Sequence, residues 1–419
     1  MRPVGQLVQS VFKLIDKTRF EVFAFMLEAH DNSQVLVNIA NSVDEWHWVK
    51  GLSPLTIAQM VNNEQPHVLV DLNGFTDGCR LEVGALKPAP VSVNYLGFPY
   101  TLTVPGFDYI LSDRVVLPPE QHPECFMESV AWMPNMYMVT DHRQSQLAQI
   151  QGNFTRENAT NYSVPHRDTN VVFANFNHLQ KLGPVTFDLW VQIMLQVPGS
   201  MLWLLKFPKE AEPHLHREFR ERRLGPERLF LSEKFASDVH LNVKRAATML
   251  LDTLEYNAHV SGLDALWAGL PLVTYAGSNM ARRCGASFLR TSRVPQLLVR
   301  TQAEYVKLAV KLATKTRVCD MLRQRVEEER MTGRLFDTEQ WVREFEVMLQ
   351  AMWEVAAARG GGWGAGSEGG RRLPNIVLSG YTGWEIGTGG GGPGRGVGRG
   401  QGAGDEKRGK RSGAGQGKG

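Results

Sequence analysis

The chain has 419 residues, of which 43% are hydrophobic and 9% aromatic, which is enough apolar material for a large globular protein of about two domains. A formal charge of +3 indicates no particular partner. Four widely spaced cysteines without a CxxC pair argue against a zinc site or a disulfide framework, and no apolar run is long enough for a signal peptide or a membrane span. We therefore expect a soluble intracellular protein. Its abrupt start, which reads like a domain interior from Pro3 to Phe12, suggests that a longer protein continues upstream.

Residues 1–142 alternate helical spacing with short apolar runs, which is the pattern of an α/β lobe. The predicted helices are Leu7–Leu14 and Leu55–Asn62, and the predicted strands are Phe20–Met26, His67–Leu72, Val91–Leu96 and Tyr109–Ser112. Loops with turn residues follow two of these strands, at Asn73–Arg80 and Gly97–Gly106.

Residues 143–169 are polar and predict a linker, after which a second α/β lobe occupies residues 170–358. Its predicted strands are Asn170–Ala174, Met201–Lys206 and Leu229–Ser232, and its predicted helices are Pro184–Gln196, Val239–Ala247, Leu289–Thr314, Val318–Arg330 and Glu339–Ala358. Two such halves in succession predict a two-lobed enzyme with a cleft between the lobes.

The region 359–419 is rich in glycine and ends in basic residues, a composition that predicts a disordered tail. An RNA-binding tail of the RG type is the alternative to a simple flexible extension. The basic residues are sparse and few aromatic residues lie between them, so we favour the extension and do not expect nucleic acid as a partner.

The stretch Met249–Tyr275 carries the strongest functional pattern, a strand, a loop, a helix and a strand. Its loop, Asn257–Gly262, is small and polar and directly precedes the helix. Unpaired N–H groups and the positive dipole end at such a helix start favour a phosphate, and the carboxylate of Asp264 further in could accept hydrogen bonds from a ribose diol. An ordinary βαβ crossover with a capped helix has the same spacing.

Two more loops of the second lobe offer weaker signals. Lys181, in the strand-to-helix loop after Asn175, could reach a diphosphate and stabilise it as it leaves, although a solvated lysine has the same pattern. His240, near a helix start, could face a base or simply pack. The chain contains no D-x-D motif, which metal-dependent sugar transferases commonly use. In a metal-free mechanism a lysine, helix dipoles and hydroxyls would stabilise the diphosphate in place of a metal ion.

In combination these blocks resemble the catalytic region of the protein O-GlcNAc transferases, including their bacterial-type homologues. The matching blocks, in order, are His67–Arg80, Ala85–Asp113, Trp132–Pro134, Val172–Lys181, Leu202–Pro208 and Leu251–Thr274. The resemblance covers roughly residues 2–355. It implies a GT-B glycosyltransferase with two Rossmann-like lobes, here with an incomplete N-terminal lobe. It also implies inverting, metal-independent transfer of GlcNAc from UDP-GlcNAc to Ser or Thr of intracellular proteins.

Carried over by position, the resemblance assigns the diphosphate to Lys181 and to His259, the two residues expected to be catalytic. The other positions expected to bind the UDP-sugar are His178, Val260 and Ser261 for phosphate, Asp264 for ribose and His240 for uracil. Leu96 and Gly97 match a loop on the acceptor side, in the N-terminal lobe.

This chain departs from the family pattern at several of these positions. His178 replaces a glutamine, Val260 replaces a threonine, and Ser237 stands where a lysine precedes the uracil-site histidine by three. Tyr100–Thr101 make the acceptor-side loop bulkier than the usual Gly-Thr. Arg2 stands where a functional histidine is expected, and the tetratricopeptide repeats with which the family selects its substrates are absent from this sequence.

Two alternatives stay open. A GDP-fucose-dependent protein O-fucosyltransferase of the Spindly type shares the architecture, but this chain keeps His259 where that branch tends to differ, which favours UDP-GlcNAc. A catalytically silent fragment that binds a nucleotide or a protein is the other. We expect no cofactor and no metal, protein substrates with Ser or Thr acceptors, no membrane partner, and a location in the cytoplasm, the nucleus or both.

Overall fold

Two six-stranded sheets organise the computed structural model, which describes residues 3–121, 125–360, 373–378 and 384–387. The strands are β1 Phe23–Met26, β2 Glu45–Trp48, β3 Val68–Asp71, β4 Val91–Asn94, β5 Tyr109–Asp113, β6 Ser129–Met133, β7 Val172–Asn175, β8 Met201–Leu205, β9 Leu229–Ser232, β10 Met249–Leu251, β11 Leu272–Tyr275, β12 Leu298–Val299, β13 Asn375–Leu378 and β14 Trp384–Gly387.

The helices of the first half are short, and the longer ones lie in the second half. They are α1 Pro3–Val8, α2 Val11–Leu14, α3 Gln34–Ala40, α4 Pro54–Asn63, α5 Leu81–Ala85, α6 His142–Ser145, α7 Arg156–Asn161, α8 Pro184–Gln196, α9 Glu212–Glu221, α10 His240–Lys244, α11 Val260–Trp267, α12 Cys284–Thr291, α13 Gln302–Thr314, α14 Thr316–Thr332 and α15 Thr338–Ala358. Within the described residues, no helix combines the length and the apolar character needed to cross a membrane.

The first sheet has the order β14-β13-β6-β5-β4-β3, and the second has the order β12-β11-β10-β7-β8-β9. All described pairings within them are parallel except that of β13 with β14. Strands β4, β5, β6, β7 and β10 are buried along their whole length, as expected when helices cover both faces of a parallel sheet. A separate two-stranded sheet pairs β1 with β2.

The long last helix of the second half packs on the first sheet. Helix α15 contacts β3, β4, β6, β13 and α2. Its Trp341 Nε1 donates to the carbonyl of Met136 at 3.0 Å, and the ring stacks on Tyr95 at 5.7 Å. The sequence assigned 338–358 to the second lobe because it follows that lobe in the chain, but its apolar face is buried against the first.

The region predicted as a disordered tail contributes two strands. Strand β13 pairs in parallel with β6, and its Ile376 and Leu378 are buried. The short apolar run Ile376–Leu378 lies between two glycine-rich stretches. Strands β13 and β14 extend the first sheet beyond β6, so the prediction of disorder is wrong for these two strands. The rest of the predicted tail, 361–372, 379–383 and 388–419, lies outside the described residues, as does Arg2.

Two predicted helices are each split in two. The predicted helix Leu7–Leu14 is divided between α1, which ends at Val8, and α2, which begins at Val11. The sequence predicted a continuous helix over Leu289–Thr314, but α12 ends at Thr291 and α13 begins at Gln302. Arg293 adopts a positive φ of 55°, Pro295 follows, and the short strand β12 lies between the helices. Proline lacks the N–H that a helix interior needs, which explains the break.

The two lobes touch where β5 ends. Asp113 accepts hydrogen bonds from the N–H of Tyr137 at 3.0 Å and from the hydroxyl of Ser287 in α12 at 2.8 Å. Arg283 Nε donates to the carbonyl of Val115 at 2.7 Å. These contacts place the start of α12 against the carboxyl edge of the first sheet, so the loops of both sheets face one cleft.

Candidate functional site

The strand order of the second sheet reverses between β7 and β10. From β7 the chain proceeds outward through β8 and β9, and it returns to the other side of β7 with β10, β11 and β12. In open α/β sheets, ligands bind outside the carboxyl ends of the strands at such a reversal. The two loops that leave this point are Asn175–Leu182, after β7, and Asp252–His259, after β10.

Side-chain hydrogen bonds join these two loops. Asn175 Nδ2 donates to the carbonyl of Leu251 at 2.8 Å, and Asn177 Nδ2 donates to Thr253 Oγ1 at 3.2 Å. The hydroxyl of Ser261, in the first turn of α11, donates to Asn177 Oδ1. Asn175, Asn177 and Thr253 are buried, so the loops are held together without relying on exposed contacts.

The buried carboxylate of Asp252 holds the loop Asp252–His259 through hydrogen bonds. Asp252 accepts hydrogen bonds from the N–H of Thr253 at 2.9 Å, from the N–H of Ala258 at 2.6 Å and from the hydroxyl of Thr274 at 2.6 Å. Burial raises the pKa of Asp252 to about 7 despite these donors. The carboxylate therefore fixes the backbone that leads into α11.

Helix α11 presents its N-terminus to the end of the sheet. The N–H groups of Gly262 and Leu263 bond to the carbonyl of His259, whereas those of Val260 and Ser261 have no backbone acceptor in the described chain. Such first-turn N–H groups and the helix dipole together favour an anion. This confirms the geometry that the sequence pattern indicated, and it leaves the binding roles of Val260 and Ser261 as predictions.

Lys181, in the loop after β7, contacts the loop that leads into α11. Its Nζ donates to the carbonyl of Asn257 at 3.0 Å and lies 4.1 Å from the ring centroid of Tyr256. Burial lowers the pKa of Lys181 to about 8, which leaves it largely protonated at pH 7. A partly desolvated ammonium thus lies against the loop that leads into a helix N-terminus, an arrangement that can attract an anion.

His259 caps this helix without contributing a charge. Its Nε2 lies 3.1 Å from the carbonyl of Ala281, and its ring lies 4.6 Å from that of Tyr256. A carbonyl only accepts, so Nε2 carries the proton of a neutral imidazole. Burial lowers the pKa of His259 to about 3. The contacts of His259 therefore favour a role in shaping the loop that leads into α11.

Asp264 lies one turn further along α11 in a cluster of cationic and imidazole groups. Its Oδ2 accepts a hydrogen bond from Lys244 Nζ at 2.6 Å, and its Oδ1 lies 3.0 Å from His142 Nε2. His240 is beside them, with Nδ1 3.1 Å from Lys244 Nζ. Although burial opposes ionisation, Lys244 and His142 hold the pKa of Asp264 well below its usual range.

The remaining predicted residues are more scattered. The ring of His178 packs 4.3 Å from Phe207, and its Nδ1 accepts from the N–H of Gln180 at 3.2 Å. Leu96 and Gly97 follow β4 in the first lobe, where Leu96 has a φ of 70°. A Cβ on Gly97 would lie 2.1 Å from the carbonyl oxygen of Leu72, so only glycine fits this close approach.

The structure adds site residues that the sequence analysis missed. Lys244 stands one helical turn after His240 on α10, a spacing that could have flagged it. Asp252 directly follows the buried strand β10, so its position at the carboxyl end of a strand could have identified it from the sequence. His142 meets Asp264 from a distant part of the chain, and no local pattern indicates that contact.

Among the described residues, one group of side chains has the spacing of metal ligands, and it lies in the first lobe. Glu45, His47 and Glu64 bring their ligand atoms within 4.8 Å of one another. His47 Nε2 is 3.1 Å from Glu64 Oε1 and 3.8 Å from Glu45 Oε2. The group belongs to the β2 and α4 region and contributes nothing to the candidate site.

Known proteins resemble this chain over most of its length. The profile of glycosyl transferase family 41 matches residues 1–160 and 149–345. The Arabidopsis thaliana protein named probable UDP-N-acetylglucosamine–peptide N-acetylglucosaminyltransferase SEC is 31% identical over 84% of this chain and 36% of its own length. The Caenorhabditis elegans UDP-N-acetylglucosamine–peptide N-acetylglucosaminyltransferase is 28% identical over 84% of this chain and 40% of its own length.

A solved structure also matches. A mutant of the Thermobaculum terrenum O-GlcNAc transferase superposes with a TM-score of 0.78 at 26% identity, covering 86% of this chain and 66% of that one. The fold is thus the predicted GT-B arrangement of two lobes, and the resemblance read from the sequence is confirmed. The chain spans 36% and 40% of the lengths of these two curated relatives. It belongs to glycosyl transferase family 41.

Proposed function

We propose that this chain is the catalytic region of a protein O-GlcNAc transferase, which moves GlcNAc from UDP-GlcNAc to Ser or Thr hydroxyls of proteins. The observation that carries the proposal is the contact of Lys181 Nζ with the carbonyl of Asn257, in the loop that leads into the N-terminus of α11 at the strand reversal of the second sheet. Relatives whose names specify UDP-GlcNAc and a peptide acceptor support the choice of substrates.

The donor binds with its diphosphate at the start of α11. Negative charge grows on the diphosphate as the bond to the sugar breaks, and the ammonium of Lys181 and the free N–H groups of Val260 and Ser261 stabilise it there. These groups are already in place before the reaction, so little reorganisation is needed. They supply the positive field that a divalent ion supplies in other transferases, and the proposed reaction needs no metal.

The nucleoside part extends toward Asp264 and His240. Asp264 accepts hydrogen bonds from the ribose hydroxyls, and His240 lies beside the uracil. The acceptor hydroxyl enters from the first lobe, near Leu96 and Gly97, and attacks the anomeric carbon on the face opposite the leaving UDP. Attack from that face inverts the configuration of the sugar.

Titration calorimetry with UDP and GDP, followed by transfer of labelled GlcNAc from UDP-GlcNAc to a Ser/Thr peptide, tests the proposal. We expect UDP to bind at least tenfold more tightly than GDP, and transfer to persist in EDTA. Tighter binding of GDP would favour the fucosyltransferase alternative. UDP binding without transfer would leave a silent nucleotide-binding fragment, and loss of transfer in EDTA would contradict the metal-free mechanism.

A further inference from the structure

A buried lysine that the family comparison does not assign lies on the nucleoside side of the site. Lys244 ends α10 and is only 8% exposed. Its Nζ lies 2.6 Å from Asp264 Oδ2, 3.1 Å from His240 Nδ1 and 5.6 Å from the ring centroid of Phe176. Burying an ammonium is unfavourable unless it is paired, so this position reflects a specific partner.

The first partner is the carboxylate proposed to hold the ribose. Lys244 binds Oδ2 of Asp264, and His142 faces Oδ1 at 3.0 Å, so both oxygens have one partner from the protein. Each carboxylate oxygen can accept a second hydrogen bond. The two partners therefore fix the plane of the carboxylate and leave acceptor capacity for the two hydroxyls of a ribose.

The second partner is the histidine proposed to lie beside the base. An ammonium only donates hydrogen bonds, so Nδ1 of His240 must accept from Lys244. The proton of the neutral imidazole then resides on Nε2. His240 consequently offers an N–H donor on the ring edge away from Lys244, which suits a carbonyl oxygen of a pyrimidine.

We propose that Lys244 is a positioning residue that sets nucleoside recognition in the donor site by holding Asp264 toward the ribose and fixing the tautomer of His240. The inference rests on the proposed function.

Discrimination between UDP and 2′,3′-dideoxy-UDP, measured by titration calorimetry, tests the proposal because it isolates the ribose hydroxyls. The native chain should bind UDP at least tenfold more tightly than the dideoxy compound. Lys244→Met should reduce that ratio to threefold or less, mainly by weakening UDP. Lys209→Met, which removes an exposed lysine paired with Glu233, should leave the ratio unchanged.

The outcomes separate this inference from the function on which it rests. Failure of the native chain to bind UDP would overturn the proposed function. A Lys244→Met protein that keeps tenfold discrimination, or binds UDP more tightly, would overturn the role of Lys244 alone. Should Lys244→Met fail to fold, Lys244→Leu carries the same comparison, because leucine likewise has no donor for Asp264 or His240; undiminished discrimination there would equally overturn the inference.

Discussion

The two lobes use similar parallel sheets in different ways. In the second sheet the strand order reverses between β7 and β10, and the loops at the reversal carry Lys181, Asp252 and Asn177, joined by hydrogen bonds. In the first sheet β3 to β6 stand side by side in chain order. The corresponding loop there carries Leu96 and Gly97, which matter through backbone shape and close packing.

The difference indicates that the two lobes contribute differently to the cleft, the second through charged groups and the first through backbone shape. The reversal in the second sheet leaves room for a ligand between diverging loops, and charged groups can surround it. The first lobe presents a tightly packed loop whose conformation depends on the absence of a side chain. Substitutions in the second lobe should therefore act on charge, and substitutions in the first should act on shape.

The largest effect should come from Lys181→Ala. Loss of a preorganised charge that stabilises the leaving diphosphate should reduce GlcNAc transfer by ~10²–10³-fold, measured as kcat with saturating peptide. Lys209→Ala, on the surface of the same lobe, is the matched control and should retain full activity. Turnover that survives Lys181→Ala would remove the charge-based role of the second lobe.

Gly97→Ala should be the strongest test of the first lobe. The new Cβ would lie 2.1 Å from the carbonyl oxygen of Leu72, so the loop must move. A displacement of about 1 Å can cost on the order of 10²-fold in rate, and we expect that loss in kcat/KM for the peptide while UDP affinity is kept. Gly5→Ala adds a methyl at an ordinary contact distance from Val35 and serves as control. A parallel loss of UDP affinity would contradict the division between lobes.

Acidification should weaken the second lobe through its neutral histidines. Burial lowers the pKa of His240 to about 4 and of His259 to about 3, whereas both have a pKa of about 6.5 when unfolded. Below pH 6.5 the unfolded chain therefore binds more protons, so stability is complete above that pH and falls as the pH decreases toward 4 and 3. Partial exposure of the rings limits the expected loss to about 1–2 kcal/mol between pH 6.5 and 5.

Urea unfolding at pH 7 and pH 5 measures this loss of stability. The double variant His240→Gln, His259→Gln should lack that part of the pH dependence. An unchanged slope in the variant would place the acid sensitivity elsewhere in the molecule.

The smallest effect should come from Ile376→Val, in β13 of the first sheet. Removing one buried methylene costs about 0.5–1.5 kcal/mol in the free energy of unfolding. UDP affinity should not change, because β13 belongs to the first sheet. Val185→Ala, at an exposed position of α8, should change the unfolding free energy by less than about 0.5 kcal/mol. Weaker UDP binding in Ile376→Val would show that the lobes are not independent.

Most of the strand and helix pattern could be predicted from the sequence because it is local. The run His67–Leu72 contains β3, and the polar loop before Val260 correctly indicated a helix start. The lobe to which α15 belongs could not be predicted, since periodicity shows that a helix has an apolar face without showing what covers it. The same limit applies to β13, whose four residues stand among glycines.

The site could be predicted in part for the same reason. Lys181 and the start of α11 were found because each lies on a loop with a recognisable pattern. The contacts of Asp264 with His142 and Lys244 depend on the packing of three separate segments. Only the tertiary structure shows that the proposed ribose carboxylate is already paired.

The position of β13 between β6 and β14 has a consequence for how the protein forms during synthesis. Strands β3 to β6 are synthesised first. The elements α15 and β13, which pack on and pair with their sheet, are translated only after the whole second lobe. The second sheet has no such dependence, because its strands β7 to β12 form one continuous stretch of chain. The strands of the second sheet are therefore complete while β6 still has an unpaired edge, and such an edge can pair with other chains until β13 is synthesised.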